Sequence, residues 1–206
     1  MGEVDGAMRP SRKLLVLDLD ETLVHASEWP LDRPADFRIA GYHVHERPHL
    51  AAFIAWALDR FEVGVWTSSG RLYAEPLVAR IFPPGRLRFL WCGSRCTLAR
   101  DWDTGEYRGL KCLKKVKRLG WRLESVVAVD DSPWKHVRDY GNLVTVSEFL
   151  GDPADDELPR LAAYLDTLRD VPNVRAIEKR RWRERIDAGH DPLAEYRASA
   201  GVLGGS

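Results

Sequence analysis

Three observations predict an α/β domain built on a doubly wound, mainly parallel five-stranded sheet, with small β-hairpin inserts and no large cap. Short apolar runs recur along the chain, at 14–17, 62–67, 88–91, 125–130 and 143–146. Stretches with a helical apolar stripe separate most of them, and two of the runs end in a pair of acids. Strands alternating with helices build a parallel sheet covered on both faces, and such a sheet binds ligands outside the carboxyl ends of its strands.

The first run, Leu14-Leu-Val-Leu17, is apolar at every position, as a strand buried on both faces must be. Residues 25–47 are rich in Pro, Gly and His, and Phe37-Arg-Ile39 and Tyr42-His-Val44 flank a turn at Gly41, the pattern of a small hairpin. Pro48 then opens a stretch with Leu50, Phe53, Ile54, Ala57, Leu58 and Phe61 on one helical face, with proline in the first turn. Glu62 to Thr67 is the next strand and Arg71 to Phe82 the next helix. Arg88 to Trp91 is a third strand, and residues 92–109 carry a second hairpin around Asp103-Thr104-Gly105. Leu110 to Leu119 is a short helix stopped by Gly120. Ser125 to Asp130 and Leu143 to Val146 complete the sheet, and Pro159 to Leu168 carries a last apolar stripe after the acidic lead-in 152–157. Both hairpins emerge from carboxyl ends of strands, where they shape the mouth of a site.

A chain of 206 residues with 45% hydrophobic content supports one well-buried domain. Residues 1–12 and 186–206 are expected to be loose ends around a folded unit at 13–185. Lys plus Arg equals Asp plus Glu at 31 each, so no global field draws the protein to nucleic acid or an anionic membrane. The three cysteines, Cys92, Cys96 and Cys112, lack the second pair of a zinc site and fit a reduced, cytoplasmic protein. No run approaches a membrane span, and Met1 to Pro10 lacks the apolar core of a signal peptide. Of the eight tryptophans, Trp56, Trp66 and Trp91 fall in core positions, whereas Trp102 and Trp134 fall at the rim. Arg175 to Arg185, with six basic residues interleaved by Glu178 and Glu184, reads as a solvated helix.

The chemistry is concentrated where strands end. Asp18-x-Asp20-x-Thr22 follows the first run, and a buried parallel strand has no structural need to end in two acids. Carboxylates so close repel one another unless a cation lies between them, and oxygen ligands favour Mg²⁺. The second strand ends in Thr67-Ser68-Ser69-Gly70, whose hydroxyls suit phosphate oxygens but also suit an ordinary turn. The fourth ends in Asp130-Asp131, a second acidic pair. Lys111 opens a basic helix, placed to neutralise a nucleophile and a transferring phosphoryl group, while Lys114, Lys115 and Lys117 read as its solvated face.

Asp18-Leu-Asp-Glu-Thr-Leu-Val-His25, Arg47-Pro-His49, Thr67, Cys96-Thr97, Lys111, Asp130-Asp131-Ser-Pro133 and Tyr140-Gly-Asn142 occur in an order and spacing that resemble the haloacid dehalogenase superfamily, in particular its carboxy-terminal-domain phosphatase branch. The resemblance covers about residues 13–170. It implies that Asp18 attacks phosphorus, that Asp20 is the general acid/base, and that Lys111 offsets charge, with Lys114 and Lys115 one helical turn on as alternatives. It further implies that Thr22, Thr67 and Ser68 meet the phosphate. Mg²⁺ would be held by Asp18, the backbone carbonyl of Asp20, and Asp130, with Asp131 in support. Glu21 stands where many superfamily members have Gly.

The resulting expectation is a Mg²⁺-dependent phosphomonoesterase acting through an aspartyl-phosphate on phosphoserine or phosphothreonine in a protein or peptide. Two alternatives stay open: the same chemistry on nucleotides or nucleic-acid termini, and a switch module that merely holds phosphate on Asp18. A general acid at Asp20 argues against the switch, because its task is to empty the aspartyl-phosphate.

Overall fold

The computed structural model describes residues 12–100 and 105–203. At its centre lie five parallel strands, β1 (Leu14–Leu17), β5 (Glu62–Trp66), β6 (Leu90–Trp91), β9 (Val126–Asp130) and β10 (Leu143–Thr145), ordered β10-β9-β1-β5-β6. The chain winds outward from β1 in one direction through β5 and β6, then returns to build β9 and β10 on the other side. The order therefore reverses between β1 and β9, where the carboxyl ends of two strands diverge and leave a crevice. Asp18 and Asp130 sit at that crevice.

Alternation along the strands separates two cores. Leu15, Leu17, Val63, Val65, Val127, Val129 and Val144 point to one face, against α1 (Leu50–Arg60), α2 (Arg71–Ile81) and α3 (Glu157–Thr167). Leu14, Val16, Trp66, Val126, Ala128 and Leu143 point to the other, against Leu113, Val116, Trp121 and Leu123. Each fully buried aliphatic side chain contributes about 1.5–3 kcal/mol, so both faces hold the sheet in register. Trp66 and Trp91 belong to the second core as expected, and Trp56 is half-buried against the first.

Several local expectations are corrected. Leu110 to Leu119 is no α-helix: Leu110 ends strand β8 (Tyr107–Leu110), and Leu113–Leu119 is a 3-10 helix closed by Gly120 at φ 93°. Lys111 thus lies between strand and helix instead of opening a helix. Helix α3 starts at Glu157, two residues before Pro159, because proline is tolerated in a first turn. The third strand shortens to Leu90–Trp91, although Arg88 N still donates to Val63 O at 2.8 Å.

The first insert is a three-stranded antiparallel sheet in the order β2-β4-β3, of β2 (Val24–Ser27), β3 (Phe37–Ile39) and β4 (Tyr42–Glu46). The hairpin about Gly41 is there, and β2 is an addition that Val-His-Ala-Ser did not advertise. The second insert pairs β7 (Thr97–Arg100) with β8; most of its turn, with Trp102, lies outside the described residues. Arg47 pins the first insert to the domain. Its buried guanidinium holds both oxygens of Asp155, at 2.8 and 2.7 Å, and the Thr22 carbonyl at 3.0 Å.

The basic stretch after α3 is not one solvated helix: Arg175, Arg180 and Arg181 are exposed, but Ile177, Lys179 and Trp182 are buried. Trp182, which opens α4 (Trp182–Asp187), is fully buried, donates to Thr145 O at 2.8 Å and stacks on Tyr164. Lys179 is buried among the carbonyls of Gly141, Val174 and Ile177. Arg183 and Arg185 are taken up by Glu157 and Glu195. The expected boundary at 185 falls inside α4, and α5 (Pro192–Leu203) continues beyond it with Leu193 and Tyr196 against the core. Of the loose ends expected at 1–12 and 186–206, residues 1–11 and 204–206 lie outside the described residues. No described helix is long and apolar enough to cross a membrane.

Candidate active site

Asp18 is the residue at which β1 stops, with its N–H still donating to Val129 O of β9 at 3.0 Å. The sheet therefore positions it directly, without an intervening loop. Its side chain is 2% exposed, yet it lines a cavity of about 430 Å³ together with Asp20, Glu21, Thr67, Ser68, Ser69, Tyr73 and Lys135. Oδ1 accepts from Leu19 N and faces Lys111 Nζ, both at 2.8 Å, while Oδ2 accepts from Lys135 Nζ at 2.9 Å.

Asp130, at the end of β9, is fully buried beside it. Its Oδ2 takes Lys111 Nζ at 2.6 Å and His136 Nε2 at 3.1 Å, and its Oδ1 takes Ser132 N at 2.9 Å with Lys135 Nζ at 3.4 Å. The two lysines are themselves tied, because Lys111 N donates to Lys135 O at 2.8 Å. Burial pushes the Asp18 carboxyl up to about 6, against the pull of Lys111 and with a further push from Asp130. Burial also opposes ionisation of Asp130, but Lys111, the His136 hydrogen bond and Lys135 hold it well below the usual range.

Asp20 faces a different set. Tyr73 Oη donates to its Oδ1 at 2.6 Å, and Ser69 Oγ and Thr67 Oγ1 donate to its Oδ2 at 2.7 and 3.2 Å. Burial and the neighbouring Asp20 carboxylate drive the Tyr73 phenol far up, which keeps it a donor. Thr67 Oγ1 also accepts from Ser69 N at 2.9 Å, so the hydroxyl loop after β5 is braced internally. Gly93 is required behind it, since a Cβ there would lie 2.3 Å from Ser68 O. Glu21 turns the chain away from the site with φ 56°, in the left-handed region, and burial followed by repulsion from Asp20, Asp131 and Asp18 raises its carboxyl to about 7.

The expected residues converge, with three refinements. Lys111 is the buried lysine on Asp18, whereas Lys114 is exposed and Lys115 leans over Trp66. Thr22 does not face the cavity; its hydroxyl donates to Asp131 Oδ1 at 3.1 Å and accepts from Asp131 N at 3.2 Å, so it ties the two acidic turns together. The carboxylates that gather are Asp18, Asp130 and Asp131, each with an oxygen within 4.8 Å of the others, while the Asp20 side chain is engaged by hydroxyls.

This trio fits a divalent cation by its donor set, all hard carboxylate oxygens. Asp18, Asp20, Asp130 and Asp131 also outnumber Lys111 and Lys135, leaving an excess of negative charge for a cation to balance.

Tyr73 and Lys135 lie outside the sequence expectation, and Ser69, read there only as part of a hydroxyl cluster for phosphate, instead donates to Asp20. Lys135 could have been read from its position shortly after the second acidic pair. Tyr73 carries no sequence signal, because only the docking of α2 aims it at Asp20. Trp134 is at the rim as expected, 40% exposed, with Arg108 over its ring at 5.7 Å.

Residues 13–175 match the family model of the NLI interacting factor-like phosphatases, and the chain belongs to that family. It is 33% identical over 168 residues to CTD small phosphatase-like protein 2 of Dictyostelium discoideum, covering 78% of this chain and 28% of that protein. It is 30% identical over 185 residues to CTD nuclear envelope phosphatase 1 of Xenopus laevis, covering 82% of this chain and 72% of that protein. The structure is similar to that of Fcp1, an RNA polymerase II CTD phosphatase, with a TM-score of 0.51 and 19% identity over 91% of this chain and 53% of that one. That likeness shows the haloacid dehalogenase-type fold. The protein is a phosphatase of this type, and the family implies a divalent metal.

Proposed function

We propose that the protein is a Mg²⁺-dependent phosphoserine/phosphothreonine protein phosphatase that works through an aspartyl-phosphate on Asp18. The observation that carries the reading is the setting of Asp18, a nearly buried carboxylate at the crevice of the sheet, held by two ammonium groups and open to a cavity that Asp20 shares. The protein substrate is supported by relatives named CTD phosphatases and by inserts that are small sheets at the mouth of the site. The free thiols of Cys92, Cys96 and Cys112 are in keeping with a cytoplasmic location.

Asp18 attacks phosphorus as the ester oxygen leaves with a proton from Asp20, and Lys111 keeps the nucleophile fixed and offsets charge that gathers in transfer. Water then attacks the phosphoryl group on Asp18, giving its proton to Asp20 and releasing inorganic phosphate. Ser69 and Tyr73 hold the Asp20 carboxylate at the cavity wall, and Thr67 and Ser68 line the side where phosphate oxygens are received. Asp18, Asp130 and Asp131 would hold Mg²⁺, with the Asp20 carbonyl as the further oxygen the family resemblance implies, and the ion would supply positive charge to offset the phosphoryl oxygens.

The test is hydrolysis of an aryl phosphate, phosphoserine and phosphothreonine peptides, nucleotides and 5′-phosphorylated oligonucleotides, with and without Mg²⁺. Asp18→Asn should abolish turnover, and Asp20→Asn should lower it by about 10²–10⁴-fold. Turnover of nucleotides or oligonucleotides with none on phosphopeptides would transfer the assignment to the nucleic-acid substrate. Phosphate persisting on Asp18 of the intact protein without turnover would restore the switch.

A further inference from the structure

Asp18 and Asp130 present four carboxylate oxygens, and the two lysines divide them. Lys111 bridges Asp18 Oδ1 and Asp130 Oδ2, at 2.8 and 2.6 Å. Those oxygens are further engaged by Leu19 N and His136 Nε2, and Lys111 is 1% exposed and absent from the cavity lining. Lys135 bridges the other pair, Asp18 Oδ2 at 2.9 Å and Asp130 Oδ1 at 3.4 Å, and it lines the cavity. An ion that enters from the cavity and chelates Asp18 and Asp130 meets the pair that Lys135 holds.

We infer that the Lys135 ammonium and the divalent cation compete for one position, so that Lys135 sets how tightly the protein binds its metal. This deepens the metal-dependent reading and rests on it. The structure distinguishes the two lysines in the way such a competition needs. Lys111 is enclosed and doubly short in its contacts, a fixed neutraliser of the buried acids. Lys135 has one long contact and belongs to the 3-10 turn Pro133–His136, beside the exposed Trp134 ring.

A lysine suits this exchange, since its ammonium is a compact charge on a flexible stem and can withdraw without unseating its backbone. The competition also has a purpose that the packing makes plain. Lys135 supplies the second positive charge that keeps Asp18, Asp130 and Asp131 together in the metal-free protein, and it lowers metal affinity to the degree that it must be displaced.

The experiment is a Mn²⁺ titration, with free aqueous Mn²⁺ read by electron paramagnetic resonance, on the wild type, Lys135→Met, Lys135→Arg and Asp130→Asn. Each protein is first checked for a cooperative melt, and Lys135→Gln replaces Lys135→Met should the latter not fold. Wild type is expected to bind and Asp130→Asn to lose binding. Lys135→Met should bind Mn²⁺ about tenfold tighter or more, and Lys135→Arg, which keeps the charge, should not.

Unchanged or weaker Mn²⁺ binding in Lys135→Met overturns the inference while leaving the metal-dependent reading in place. Mn²⁺ binding unchanged but orthovanadate binding lost would make Lys135 a phosphoryl ligand and overturn it likewise. No Mn²⁺ binding in either wild type or Lys135→Met overturns both readings together. A purely structural lysine would give weaker binding on removal, so tighter binding identifies Lys135 as a charge that opposes the metal.

Discussion

Glu21 combines two unfavourable features whose separate sizes can be worked out. Its φ of 56° places a side-chain-bearing residue in the left-handed region, at about 1–2 kcal/mol, and glycine there would return about 0.4–1 kcal/mol of that through its freer unfolded chain. The net backbone gain of Glu21→Gly is about 0.5–1 kcal/mol. The second feature is charge. Burial and the surrounding acids raise the carboxyl from 4.5 to about 7. At about 1.36 kcal/mol per pH unit this is a ceiling of about 3.4 kcal/mol, which the half-exposed position and solvent screening reduce to about 1 kcal/mol.

The sign follows from proton binding. The folded state keeps the proton between about 4.5 and 7 where the unfolded state has lost it, so the metal-free protein loses stability as pH rises through that window. The raised Asp18 contributes in the same direction in wild type and variants, and the variants relieve it only of its repulsion with Glu21. In urea unfolding with EDTA at pH 8, Glu21→Gly should therefore be about 1.5–2 kcal/mol more stable than wild type, and Glu21→Gln about 1 kcal/mol. At pH 5 the Gly advantage should shrink toward the backbone share and the Gln advantage toward zero. A Gly variant less stable than wild type, or a Gln advantage as large at pH 5 as at pH 8, would refute the reasoning.

Gly93→Ala should cost about 1–3 kcal/mol and lower hydrolysis, because its methyl meets the Ser68 carbonyl at 2.3 Å and displaces the hydroxyl loop. Mn²⁺ affinity, set by carboxylates on other strands, should not change; a melt, an aryl phosphate assay and a Mn²⁺ titration check all three. Trp182→Ala should cost about 3–5 kcal/mol in a single cooperative urea transition, since the indole is fully buried on Tyr164 and bonded to Thr145 O. A loss under about 1 kcal/mol would show that the segment after α3 adds little to the fold.

Much of this architecture is legible in the chain because its signals are local. Four consecutive apolar residues before Asp18 specify a strand buried on both faces, and an acidic pair after such a strand is too costly to be incidental. Asp18, Asp20 and Asp130 could be named from those patterns, and Lys111 from the family resemblance. Where the local signal is shared between two states, the sequence was ambiguous. Leu110 to Leu119 has the composition of a helix, yet its first residue pairs with Thr97 in the second insert and the rest tightens into a 3-10 helix against the sheet.

Tertiary structure alone decided what depends on elements meeting from afar. Trp182, 37 positions from Thr145, is buried by α3 and the sheet edge, so a stretch whose charge pattern suggests a solvated face contributes to the core while Arg175, Arg180 and Arg181 stay exposed. Tyr73 reaches Asp20 across 53 positions only because α2 starts just beyond the carboxyl end of β5, the strand paired with β1. Lys135 lies on Asp18 across 117 positions because β9 is the neighbour of β1, and no local pattern encodes which strands are neighbours. The residues that supply the chemistry are determined by the sequence; the partners that set their charge and position are determined by strand order.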